Sequence, residues 1–262
     1  MQGTDTHTGI KKYISLTRPH TPTASSVPAL VGTASVLLFS SIRWDMFFAM
    51  LIATLLIQSA TNMFNEYFDY KKGLDSRESV GIAGAIVRNG MSPRTVLNIA
   101  VIFYIFAALI GIYITLNSSF WVLVAGIISM AVGYLYTGGP FPISWTPFGE
   151  IFAGFFMGTV IIMITFYIHT GTLHYFPLLM SVPVAITIGL LNMANNIRDR
   201  KKDKESGRKT FVILVGKPIA VITTAALLLF SYIFIGWIAF FTPYGSIFMI
   251  LSFLSLPIFI RT

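Results

Sequence analysis

Eight long apolar runs fill most of this 262-residue chain, at about 21–41, 44–67, 95–115, 119–137, 149–168, 175–197, 218–240 and 244–260. Each comes close to the roughly 20 residues needed to cross about 30 Å of hydrocarbon. In lipid only helices and closed barrels satisfy their own backbone, and runs this long are helical. The predicted fold is therefore an all-α polytopic membrane protein, with a hairpin formed by the last two spans. A composition of 55% hydrophobic and 11% charged residues excludes an ordinary soluble domain. The first twenty residues carry Lys11, Lys12 and Arg18 but no apolar stretch ending in a small-residue cleavage site. No removable signal is expected, and the first helix stays as an anchor. The absence of cysteine excludes disulfides, thiolate metal sites and thiol nucleophiles.

Orientation follows from the basic residues, because positively charged loops stay on the cytoplasmic side. With the N-terminus inside, seventeen of the 18 Lys and Arg fall on inner segments, among them Lys71, Lys72, Arg77, Arg88, Arg94, the 198–217 cluster and Arg261. Only Arg43 is left outside. The expected protein is thus multi-pass in the cell membrane, with its N-terminus and basic loops in the cytoplasm. Its net charge of +8 reflects this topology and does not mark a nucleic-acid partner.

An internal repeat carries the chemistry. Residues 62–76, NMFNEYFDYKKGLDS, align without a gap on residues 192–206, NMANNIRDRKKDKES, at an offset of 130. Seven of fifteen positions are identical: Asn62/Asn192, Met63/Met193, Asn65/Asn195, Asp69/Asp199, Lys71/Lys201, Lys72/Lys202 and Ser76/Ser206. About one identity would arise by chance at ordinary residue frequencies. Both copies end helices running inward, so the chain reads as one domain, 1–262, made of two parallel four-helix repeats at about 20–137 and 149–260 around a central cavity.

In the first copy Asn62, Asn65, Glu66 and Asp69 share one helical face, and Asn192, Asn195, Asn196, Asp199 and Asp203 repeat that stripe. The plain alternative is polar glue between helices beside a solvated loop. Oxygen-only donors suit a hard cation such as Mg²⁺, which binds through a few carboxylates and substrate phosphates. The neighbouring Lys and Arg suit the phosphate oxygens themselves. His7, His20, His169 and His174 are expected to be solvent-exposed imidazoles and not metal ligands.

These motifs resemble those of the UbiA superfamily of intramembrane aromatic prenyltransferases, which carry an Asn-x-x-x-Asp motif after the second helix and an Asp-x-x-x-Asp motif after the sixth. Here they are Asn65, Asp69 and Asp75, and Asp199 and Asp203. NMFNEYFDYKKGLD (62–75), GAIVRNGMSP (84–93), GYLYTGGP (133–140), FGE (148–150) and NNIRDRKKDKESGRKT (195–210) are most similar to the 1,4-dihydroxy-2-naphthoate polyprenyltransferase branch. The Asp69-to-Asp75 gap is longer than in 4-hydroxybenzoate enzymes, and the basic pair those enzymes carry after the fourth helix is replaced by GGPFPIS (138–144). The family usually has nine helices, so with eight spans a ninth is expected to be missing.

The resemblance implies Mg²⁺-dependent transfer of a polyprenyl group from polyprenyl diphosphate to the naphthoate, with loss of CO₂, as a step of menaquinone synthesis. Alternatives are another acceptor such as 4-hydroxybenzoate, or a secondary transporter. Two ions are expected, one on Asn65, Asp69 and Asp75, the other on Asn195, Asp199 and Asp203. Lys71, Lys72, Arg88, Lys201 and Arg208 would clamp the diphosphate, and Tyr136, with Tyr67, Phe68 and Tyr134, would line the path of the allylic cation. Asp69, Asp199 and Arg88 are the expected catalytic residues. Glu150 would orient either the acceptor or a basic loop residue.

Overall fold

The computed structural model describes residues 9, 11–18, 21–75 and 84–241. The expected span 244–260 lies outside them, as do Arg77, Arg261, His7 and His20. Among the described residues every regular element is helical. After a short α1 (Lys11–Leu16) come α2 (Thr23–Val36), α3 (Trp44–Lys71), α4 (Pro93–Leu116) and α5 (Phe120–Leu135). A single 3₁₀ turn at Ile143–Trp145 leads to α6 (Gly149–Thr170), α7 (Tyr175–Glu205), α8 (Phe211–Val215) and α9 (Lys217–Ala239). Five of these, α3, α4, α6, α7 and α9, are long and apolar enough to cross a membrane.

Two elements depart from the expected lengths in opposite ways. Residues 21–41 form a helix of only 14 residues, after which the chain turns at Leu37–Ser40 with the Phe39 and Ser40 amides both donating to the Val36 carbonyl. The motif helices run long. α3 has 28 residues and α7 has 31, or ~42 and ~46 Å at 1.5 Å per residue. That exceeds the hydrocarbon by two to three turns, and the excess is the charged stretch that hydropathy alone places in loops. Both motifs therefore stand on rigid helix, so the i, i+4 stripe is real geometry.

The repeat is visible in packing. α3 packs on α4 as α7 packs on α9. Met63 is buried with Ala60, Val96 and Ala100, and its counterpart Met193 is buried with Leu190, Val212 and Ala220. α6 meets α7 at very close range because it is glycine-lined there: a Cβ on Gly158 would come within 2.6 Å of the Ala185 Cα. The same stretch, Gly154–Val160, is wound as a π-helix, a local widening that often accompanies functional sites.

At the end of the bundle away from the motifs, Arg43 ties three elements. Its Nη1 donates to the Asn117 and Ile168 carbonyls at 3.0 and 3.3 Å, and Nη2 lies 3.8 Å from Asp45. His169 corrects the expectation of an exposed imidazole. It is only 7% exposed, with Nδ1 2.8 Å from the Thr165 carbonyl inside α6. The helix runs two residues beyond the expected span and carries His169 into the core.

Candidate active site

Both motif helices end in the same way. Lys72 caps α3, Gly73 follows with φ +70°, the Gly73 amide donates to the Tyr70 carbonyl, and the Leu74 amide donates to the Asp69 carbonyl. At α7, Ser206 is the cap, Gly207 has φ +81°, and the Gly207 and Arg208 amides donate to the Lys204 and Asp203 carbonyls. Each is a Schellman termination, in which a left-handed glycine reverses the chain and satisfies the last carbonyls. Yet Gly73 and Gly207 are 134 residues apart, whereas the sequence identities lie 130 apart. The second motif helix therefore runs one turn further. Counted from the cap, Asp69 corresponds to Asp203, while the 130-residue offset that pairs Met63 with Met193 keeps it level with Asp199.

The side chains follow the caps. Arg208, the residue just past the second glycine, holds Asp69 Oδ1 through Nη2 at 2.9 Å and Asp203 Oδ1 through Nη1 at 3.2 Å. One guanidinium thus joins the two copies. Gly73 turns the chain so that Asp75 is buried as well, and Asp75 Oδ1 lies 3.4 Å from Lys202 Nζ of the second copy. Asp199 instead pairs with Arg198 on a more exposed face, at 2.7 and 2.9 Å. Asn65 is half-buried beside Asp69, and Asn195 is exposed.

The basic residues divide likewise. Lys71 and Lys201 are exposed, whereas Lys72 turns inward and the half-exposed Lys202 reaches across to Asp75. Lys72 donates to the Thr137 carbonyl at 3.1 Å and sits 4.8 Å from the centroid of Trp145, whose ring also lies 5.7 Å from the Arg208 guanidinium carbon. Burial pulls the Lys72 ammonium below its ordinary value, with Asp69 opposing the shift and Arg208 adding to it. The Lys209 amide donates to the Trp145 carbonyl at 2.9 Å, so the 138–148 loop is stitched across both motif ends. Trp145 was not among the sequence candidates. It lies in a loop with no spacing pattern, and only the folded path brings it between two cations.

Arg88 rides on the turn 85–89, and Glu66 holds that turn. Glu66 is 3% exposed. Its Oε1 accepts the Gly84 and Ile86 amides at 3.0 and 3.1 Å, and its Oε2 accepts Arg18 Nη2 at 3.4 Å. At the matching position Asn196 donates to Glu150 Oε1 at 2.8 Å, and one turn earlier Asn192 donates to the Tyr136 hydroxyl, which donates to the Gly149 carbonyl at 3.3 Å. Tyr67, Phe68, Tyr134, Phe64 and Tyr104 form a chain of edge-on rings between α3, α4 and α5.

Among the described residues no three His, Asp or Glu side chains form a ready-made metal cage. The donors nonetheless fit a hard cation shared with substrate. They are carboxylates and amides alone, and Asp75 Oδ2 is buried with no hydrogen-bond partner among the described residues. An ion held by one or two carboxylates and completed by phosphate oxygens needs no more.

The chain matches the UbiA prenyltransferase family over residues 25–262. It is 49% identical to a 1,4-dihydroxy-2-naphthoate octaprenyltransferase of Bacillus subtilis over 92% of this chain and 78% of that protein. It is 29% identical to one from Mycobacterium tuberculosis over 78% of this chain and 70% of that protein. Its fold is that of a UbiA homologue from Archaeoglobus fulgidus bound to GPP and Mg²⁺, with a TM-score of 0.68 at 16% identity over 94% of this chain and 86% of that one. Sequence over most of its length, helical fold and paired motifs agree, and the chain belongs to the UbiA prenyltransferase family.

Proposed function

We propose that this protein transfers a polyprenyl group from polyprenyl diphosphate to 1,4-dihydroxy-2-naphthoate, with loss of CO₂, in menaquinone synthesis. The observation that carries the reading is the convergence of both motif copies on Arg208, which gathers acids and bases at one end of an apolar bundle. The naphthoate is favoured as acceptor by the named activity of the Bacillus subtilis relative. The motif end faces the cytoplasm, where the basic loops belong.

Asn65, Asp69, Asp75, Asn195, Asp199 and Asp203 are the residues that would hold Mg²⁺. When bound, the ion supplies positive charge to the departing diphosphate. The protein's own groups do the rest. Arg208 and Lys202 are spaced along the acids to receive phosphate oxygens, and Lys72 and Arg88 close the diphosphate from the two loops. Tyr136 and the rings of Phe68 and Tyr134 are the electron-rich groups that would face the allylic carbon. The ring carbon of the acceptor attacks the allylic carbon as its bond to the diphosphate oxygen breaks, and the diphosphate leaves with that electron pair; the bond from the ring to the acid group then breaks, its electron pair returns to the ring, and CO₂ leaves.

The test is incubation of the purified full chain with a long-chain prenyl diphosphate and labelled naphthoate, with Mg²⁺ or with EDTA. Prenylated product and released CO₂ are expected with Mg²⁺ alone. Product from 4-hydroxybenzoate and none from the naphthoate would overturn the acceptor. Substrate flux into liposomes without product would overturn the enzyme reading.

A further inference from the structure

Two glutamates are buried near the motifs, and their surroundings differ. Glu66 has both oxygens occupied by backbone amides or Arg18, which is how a structural carboxylate is satisfied. Glu150 is 6% exposed, and only Oε1 is engaged, by Asn196; Oε2 is buried with no hydrogen-bond partner among the described residues. Leaving a charged acceptor atom buried and unmatched is costly, so a position of this kind calls for a ligand.

The place is suited to one ligand in particular. Asn196 precedes Asp199 by three residues and Asp203 by seven on α7, which puts Glu150 roughly 4.5 to 10 Å along the helix from those acids, toward its apolar part. A diphosphate at the acids, with its tail in the apolar bundle, places its reactive carbon on that same side. Around Glu150 stand the Tyr136 ring and the Asn192 amide, and Tyr136 lies within electrostatic reach of both Glu150 and Arg208. The Tyr136 hydroxyl already accepts from Asn192 and gives its proton to the Gly149 carbonyl, so the Glu150 oxygen without a partner among the described residues is the strongest acceptor offered to an incoming molecule. A carboxylate rejects the acid group of an aromatic acid and accepts from its ring hydroxyl.

We infer that Glu150 is the acceptor-recognition residue, whose free oxygen accepts a hydrogen bond from a ring hydroxyl of the hydroxylated aromatic acid and turns the acid group away. The inference rests on the proposed prenyl transfer. The hydrogen bond draws electron density into the ring and fixes which carbon meets the allylic carbon.

The experiment titrates 1,4-dihydroxy-2-naphthoate, 2-naphthoate and a prenyl diphosphate into the full chain, wild type and Glu150→Gln, following equilibrium binding without turnover. Gln keeps an oxygen for Asn196 and replaces the free one with a donor. A hydrogen bond to a charged group corresponds to about 10–100-fold in affinity. Glu150→Gln should lose that much for the dihydroxynaphthoate while 2-naphthoate and prenyl diphosphate change by less than about 2-fold. Glu150→Asp keeps the charge but withdraws the carboxylate by one methylene, and should weaken the same ligand. Unchanged dihydroxynaphthoate binding in both variants, or an equal loss for 2-naphthoate, overturns the inference. Product formation is measured in parallel on the wild type: binding that depends on Glu150 without any prenylated product would overturn the prenyl-transfer reading and leave the recognition site standing.

Discussion

The two motif copies begin alike and end differently. In both, a polar stripe descends a long helix to a glycine-terminated cap, and in both a methionine anchors the helix to its neighbour. At positions 66 and 196 they diverge. The first copy spends its carboxylate, Glu66, on holding the 84–86 turn that carries Arg88. The second has Asn196, which hands the contact to Glu150 on α6 and leaves that carboxylate with an open oxygen. The first half is built to position a basic loop, and the second to receive a ligand. The extra turn in α7 then brings Asp203, and not Asp199, to the guanidinium that Asp69 also uses.

Arg208 is where breaking this arrangement has the largest effect. Arg208→Gln removes the shared partner of Asp69 and Asp203, and stranding one side of a buried pair costs about 3–5 kcal/mol. Product formation should fall by at least about 10²-fold, with a lower Tm by differential scanning fluorimetry. Wild-type turnover in this variant would show that the two copies work independently. Glu66→Gln comes next. It keeps the shape but loses the charge facing Arg18 and one acceptor oxygen for the amides, so KM for prenyl diphosphate should rise about 10-fold with acceptor KM unchanged, at one to two kcal/mol for the hydrogen bonds weakened. An equal rise for both substrates would mean that the 84–90 turn does not serve the diphosphate alone.

Trp145→Ala is expected to be milder. Its ring faces Lys72 and Arg208 at 4.8 and 5.7 Å, contacts of about 0.5–1 kcal/mol each at partly exposed sites, so a loss of about 5- to 20-fold in kcat/KM is predicted. Lys71→Ala and Lys201→Ala should change kcat/KM by less than about 2-fold, because exposed lysines contribute little beyond topology. A large loss from either would place the diphosphate further out than Lys72 and Lys202.

Much of this was legible in the sequence. Seven of the expected spans overlap described helices, five of them long and apolar enough to cross a membrane, because apolar length is what lipid selects. Asp69, Asp75, Asp203 and Arg208, expected from the motifs together with the family resemblance, come together. Asp69 and Asp199 match at the 130-residue offset that also pairs Met63 with Met193, and what residue identity does not reveal is the extra turn of α7 that makes Asp203 the acid meeting Arg208. The signal was present in Gly73 and Gly207, which mark the caps. Trp145 had no such signal, because its role depends on a loop path that contains no repeat. The length of α3 and α7 was hidden because charged residues read as loop even where helix continues beyond the lipid.

Whether both copies form one site through Arg208 is measured by a double-mutant cycle on kcat/KM for prenyl diphosphate with Asp69→Asn and Asp203→Asn. Residues sharing one partner are energetically coupled. The double variant should retain at least about 10-fold more activity than the product of the single losses allows, a coupling above about 1.4 kcal/mol. That coupling should shrink in an Arg208→Gln background, and the corresponding cycle between Asp69 and Asp199, which Arg208 does not join, should show a smaller coupling. Multiplicative losses for Asp69 and Asp203 with Arg208 in place would contradict the account.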